Sequence, residues 1–173
     1  MASLQADEVY DLPGSIIPLA SAFSSIKVGK QVSHNILFLF DPIDSASRIL
    51  WANAQQVYLR ARFWWAPIPD IKDNQSVLLA ARLLLSSSER RLEECMLGFL
   101  EAEGEAEFSK QAAKNQLAIL AQLQSIASQN GVQLSLPVSI WRTRNGTSAI
   151  PGVPSAATLK KIAVEALRFK DLP

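Results

Sequence analysis

The chain has 173 residues, of which 49% are hydrophobic and 19% charged, and a formal net charge of +1. This fits one folded domain with a real hydrophobic core, and it offers no broad basic field of the kind nucleic acid requires. No apolar run reaches the roughly 18–20 residues of a membrane span, and a single cysteine, Cys95, excludes an internal disulfide or a cysteine-only zinc site.

Residues 1–28 hold Pro13, Gly14 and Pro18 beside a modestly apolar stretch from Ile16 to Ile26. They predict a loosely ordered arm with one short helix. No basic segment followed by an apolar one stands there, so no secretory signal is read. Gly29-Lys30 leads to the first strong strand, about 35–41, whose continuous apolar run from Ile36 to Phe40 predicts burial on both faces. A sharp turn follows, Asp41-Pro42-Ile43-Asp44, and then a helix over about 44–60 with Asp44 or Ser45 as its N-cap.

The second strand is Arg62-Phe63-Trp64-Trp65-Ala66, stopped by Pro67-Ile68-Pro69. Its adjacent tryptophans must point to opposite faces. A helical region covers about 74–129, with breaks at Ser86-Ser87-Ser88 and at Gly104. Leu92, Cys95, Met96, Phe99 and Leu100 form one apolar face there, which predicts a buried, inert thiol at Cys95. The run Glu89 to Glu107 reads as a solvated helical face. Asn130-Gly131 ends the region.

Leu136-Pro137 then opens a strand through Arg142, and Asn145-Gly146 marks a tight turn to a partner strand near 147–150. Ser155 caps a last helix, about 155–168. The order is β-α-β, a helical block, then β-β-α.

That order, and several local residues, resemble the catalytic domain of the thioredoxin-fold bacterial periplasmic disulfide isomerases, the DsbC and DsbG family. The resemblance rests on Gly29-Lys30, Phe40-Asp41-Pro42, Asp44-Ser45-Ala46-Ser47, Trp51, Arg62 to Pro67, Gly131 to Leu134, Asn145-Gly146-Thr147 and Pro151-Gly152. It implies an α/β thioredoxin-like fold with a central mixed sheet, built from residues 29–170 with a helical insertion at about 74–129 and an arm at 1–28. It also implies a periplasmic location, a cis Leu136–Pro137 bond, and a peptide-accepting surface at Leu136 and Pro137; for Trp51 and Trp141 the core is the plainer placing, and an aromatic contact at the rim of that surface is the alternative.

Three positions depart from the family. Asp44 stands at the nucleophilic cysteine and Ser47 at the resolving one, so disulfide oxidoreductase activity is not expected. Leu136 replaces a small or β-branched residue. Residues 1–28 are too few for the family's dimerisation domain, so a monomer, or an oligomer unlike the V-shaped dimer, is expected.

At the altered turn, Asp44 keeps negative charge at a helix N-terminus, where free N–H groups and the dipole favour it, and removes the nucleophile. Helix capping is the plain role; recognition of a cationic group is the sharper one. Ser47 has no adjacent base for nucleophilic work, since the only histidine, His34, precedes the first strand. The expectation drawn from these residues is a redox-inactive protein-binding module with a protein or peptide partner, a chaperone, scaffold or assembly factor of the bacterial envelope. An accessory role in secretion or conjugation is its natural setting. The alternatives are a structural subunit recognising its complex through the helical insertion or the arm, or a non-redox enzyme. No cofactor or metal is expected.

Overall fold

The computed structural model describes residues 7–169. Its centre is β3 (Asn35–Phe40), every residue of which is buried. An unbroken apolar run is stable only where both sheet faces are covered. Here β3 lies between β4 (Arg62–Pro67), parallel to it, and β5 (Val138–Thr143), antiparallel to it. The parallel pair is joined through α2 (Ser45–Gln55), since parallel neighbours need a crossover. A hairpin links β5 to β6 (Gly146–Pro151), with Thr143 opposite Gly146.

The two outer strands come from the N-terminal region. β1 (Tyr10–Leu12) pairs with β6, and β2 (Ile26–Val28) with β4, giving the order β1-β6-β5-β3-β4-β2. The sequence reading missed both strands. Three residues each are too few to show a period, and the pairing partners lie far along the chain. The expected short helix is α1 (Ile16–Ala22), with Ile16, Ile17 and Ala20 buried. Residues 1–6 and 170–173 of the expected arm and domain lie outside the described residues.

Gly29, immediately after β2, has φ +117, and a Cβ there would collide with the carbonyl oxygen of Ala61. Glycine is required by both conformation and space.

Two cores sandwich the sheet. On one face α2, α4 (Glu89–Met96) and α6 (Ala156–Glu165) pack Leu50, Trp51, Leu92, Cys95, Leu159 and Ile162 against Phe38, Phe63 and Trp65. On the other, α1 and α5 (Glu107–Gln129) pack Ile16, Ile17, Leu120 and Leu123 against Leu37, Leu39 and Ile140. α3 (Asn74–Ser86) meets α5 through Ala80, Ala81 and Ala113. Trp65 belongs to the first core and Trp64 borders the second, as alternation along a strand demands.

The expected face Leu92, Cys95, Met96 and Leu100 packs on the core, and Phe99 alone departs from it. α4 stops at Met96, and Gly98 adopts φ +80 while Phe99 N–H donates to Glu94 O at 2.8 Å and Gly98 N–H to Cys95 O at 3.0 Å. These two bonds make a Schellman motif. Phe99, expected in the core, is therefore thrown outward and is 75% exposed.

Candidate functional site

The site is the junction where β3 ends, α2 begins and β5 enters the sheet. Leu39 is opposite Val138 in the antiparallel register. Pro137, which precedes Val138, therefore stands beside the end of β3, and the turn leading to Asp44 leaves from the same place.

The turn is closed by Asp44 N–H donating to Asp41 O at 3.1 Å. Asp44 is the N-cap of α2, its Oδ1 accepting from Ala46 N–H at 3.1 Å. This is the plain capping role its residue type favours. Ser45 is exposed, Ala46 buried, and Ser47 wholly buried, with its Oγ lacking a hydrogen-bond partner among the described residues. A hydroxyl held that way cannot reach a substrate, and no base stands near it. His34 is bonded elsewhere, its Nδ1 2.8 Å from Ala166 O.

Asp41 is a site residue to which sequence reasoning gave no role. Its Oδ1 accepts from Ser76 Oγ at 2.8 Å and from Ile43 N–H at 3.1 Å, and Ser76 Oγ in turn accepts from Asp70 N–H at 2.8 Å. One hydroxyl thus ties the turn to the loop before α3. Burial raises the Asp41 pKa; the Ser76 and Ile43 hydrogen bonds oppose that, and Asp44 and Asp70 add repulsion. The Asp41-Pro42 pair was the available signal, but its partner Ser76 is 35 residues away.

Cys95 was expected in the core, and it is 3% exposed. Its Sγ lies 3.6 Å from Pro42 O, directly behind the turn. Burial pushes its thiol up to about 11, with Arg48 opposing and Asp41 reinforcing the shift. A thiol in that setting is a poor nucleophile. Among the described residues no group of three His, Cys, Asp or Glu side chains could hold a metal ion.

On the β5 side, residues 132–137 lead into the strand, with Val132 and Leu134 buried and Gln133 and Ser135 exposed. Leu134 O accepts from Gln124 Nε2 at 3.3 Å. Beyond it, the backbone N–H and C=O groups of Ser135 and Leu136 have no partner among the described residues, while Pro137 O accepts from Gly152 N–H at 2.7 Å. The Leu136–Pro137 bond is cis. Ser135 is exposed and Leu136 half-buried.

Trp51 and Trp141 take the core placing, not the rim one. Trp141 is 0% exposed, its Nε1–H donating to Glu165 Oε1 at 2.9 Å, and Trp51 is 7% exposed against the Trp65 ring at 5.3 Å. Both are core residues on the inner face of the sheet sandwich, where aromatic area is most stabilising.

No family model matches the chain, and no curated protein matches it. Solved structures do. A periplasmic thioredoxin-like protein from Salmonella enterica serovar Typhimurium is 15% identical over 90% of this chain and 97% of its own, with a TM-score of 0.59. The fold is that of thioredoxin. The thiol-disulfide exchange protein alpha-DsbA2 from Wolbachia pipientis is 12% identical, covering 87% of this chain and 94% of its own, with a TM-score of 0.55. A thioredoxin-like oxidoreductase from Silicibacter pomeroyi is 14% identical, covering 84% and 94%, with a TM-score of 0.53. The α/β thioredoxin-like architecture with a central mixed sheet is therefore established.

These neighbours overturn the expectation of a redox-inactive protein-binding module, together with its alternatives of a structural subunit or a non-redox enzyme. The solved proteins that share this fold include a thiol-disulfide exchange protein and an oxidoreductase. Two missing cysteines are not evidence for another function. Their loss removes one reaction at one turn and points to no replacement. Among the described residues no helix is long and apolar enough to cross a membrane.

Proposed function

We propose that this chain works in the thiol–disulfide exchange system of the bacterial periplasm, on polypeptides taken up in extended form along Ser135-Leu136 beside the Asp44 turn. The observation that carries this reading is the pair of unpaired backbone residues at that place. Free backbone N–H and C=O groups at a strand entrance are a template for strand addition, in which main-chain bonds give affinity and neighbouring side chains give selectivity. The periplasmic setting follows the compartment of the Salmonella protein and the motif resemblance. Within the fold, Gly29-Lys30, Asp41-Pro42 and Arg62 to Pro67 favour the DsbC and DsbG branch. In this reading residues 29–170 are the thioredoxin-like domain, 74–129 its helical insertion, and 1–28 an arm that supplies the edge strands.

Two-thiol exchange at residues 44–47 is not part of the reading, because neither position carries sulfur. Calorimetric titration with unfolded, cysteine-containing peptides tests it. Ser135→Pro removes one N–H, and Leu136→Lys alters the adjoining contact. A lost backbone bond is worth about 1 kcal/mol, so Ser135→Pro should bind roughly fivefold more weakly, and Leu136→Lys should also weaken binding through the lost apolar contact. Unchanged affinity in both variants would exclude this edge.

A further inference from the structure

Leu59 and Val164 are 72% and 74% exposed, yet they line one depression of about 400 Å³ together with Gln31, His34, Arg60 and Ala163. No acidic side chain lines it. Lys160 lies one helical turn before Val164 on α6 and is exposed, as is Arg60. Neither has an ion-pair partner among the described residues. Leu59, Ala163 and Val164 give this depression an apolar half, and Arg60 and Lys160 give it positive charge.

Exposed apolar residues with acidic neighbours stand elsewhere on the molecule. Leu97, Phe99 and Phe108 are 55%, 75% and 69% exposed. The segment 97–108 carries four glutamates and no lysine or arginine. Glu105 is paired with Arg82 and Glu107 with Lys110, which leaves Glu101 and Glu103 exposed without a cation. A Cβ at Gly98 would sit 3.4 Å from Arg48 Nη1, so this segment stands over the first turn of α2. Leu59 follows the last turn of the same helix, whose 11 residues span about 16 Å at 1.5 Å per residue. Segment and depression therefore flank opposite ends of α2, and a molecule does not fill its own depression.

We propose that the occupant is a second copy of this chain. The Phe99 segment of one molecule seats in the Leu59–Val164 depression of the next, with Glu101 and Glu103 set against Arg60 and Lys160. Both halves of the complementary pair are present on the one chain, which singles out self-association over a foreign partner. Because the two patches differ, the contact is head-to-tail, and it propagates or closes into a ring rather than stopping at a two-fold dimer. Apolar anchors in a pocket carry most of the affinity in such contacts, and the rim charges give orientation.

Sedimentation velocity across a concentration series tests this with Phe99→Ser and Leu59→Asp. Both positions are exposed, and circular dichroism verifies that each variant is folded. The wild type should show mass rising with concentration. Each variant alone should associate at least about tenfold more weakly, the effect of removing a central anchor. Mixed in equal amounts, the variants should form a dimer that grows no further, since one keeps its depression and the other its Phe99 segment. A wild type that stays monomeric, a variant that associates as the wild type does, or a mixture that stays monomeric would each overturn the proposal.

Discussion

Cys95 Sγ and Pro42 O are 3.6 Å apart, which puts the chain's one thiol behind the turn rather than on it. With the thiol pushed up to about 11, roughly one molecule in ten thousand carries the thiolate at neutral pH, and the thiolate is the reactive form. Alkylation of native protein near pH 7 should be far slower than that of a free cysteine, and unfolding in denaturant should restore ordinary reactivity. Rapid native labelling would mean that the helix α4 exposes this side chain.

Ser47 Oγ is buried without a partner among the described residues. An unsatisfied buried hydroxyl costs about 1–3 kcal/mol, so Ser47→Ala should stabilise the fold by about 1 kcal/mol in urea titration. A loss of that size would show that the hydroxyl is bonded in solution.

Asp41 gives a pH dependence whose sign can be worked out. Its pKa is raised in the folded state, chiefly by burial, so the folded chain holds this proton more tightly than the unfolded one. The contribution to stability is complete below the ordinary carboxylate value and is lost as pH rises through the raised one. Asp41→Asn keeps an acceptor for Ser76 and Ile43 and removes the charge. Relative to the wild type it should gain stability at about pH 7 and gain none at about pH 3. A variant that loses more at neutral pH than in acid would show that the carboxylate is favoured where it sits.

Restoring sulfur tests whether the turn still presents the thioredoxin geometry. Asp44 is half-buried at the N-cap, and Ser47 is buried one turn into α2. Asp44→Cys with Ser47→Cys should form a disulfide and gain insulin reductase activity. The thiol introduced at position 44 should titrate below about 7.5, as thiols at helix N-termini do. A double variant that folds but neither closes a disulfide nor reduces insulin would separate this turn from that of the exchange proteins.

The central sheet was readable because its signals are local. Ile36 to Phe40 is one apolar run, Arg62 to Ala66 is stopped by Pro67 and Pro69, and Asp44 and Ser155 are capping residues followed by helical periodicity. What failed was set by distant partners or by one backbone angle. β1 and β2 exist only through their pairing with β6 and β4. Phe99 fits the apolar period of α4 until Gly98 turns the chain with φ +80, a cap signal that periodicity overrides when it is read alone. Trp51 and Trp141 are in the core, as large aromatic residues in a small domain favour. The function expectation failed for a different reason, because absent residues were read as if they were evidence of a partner.

Uptake of an extended polypeptide at the β5 entrance is the claim on which the rest turns, and residue-resolved amide exchange measures it directly. On addition of an unfolded, cysteine-containing peptide, the amides of Ser135 and Leu136, which have no protein acceptor among the described residues of the free chain, should slow more than any others. Protection elsewhere, with those two amides unchanged at saturation, would contradict the account.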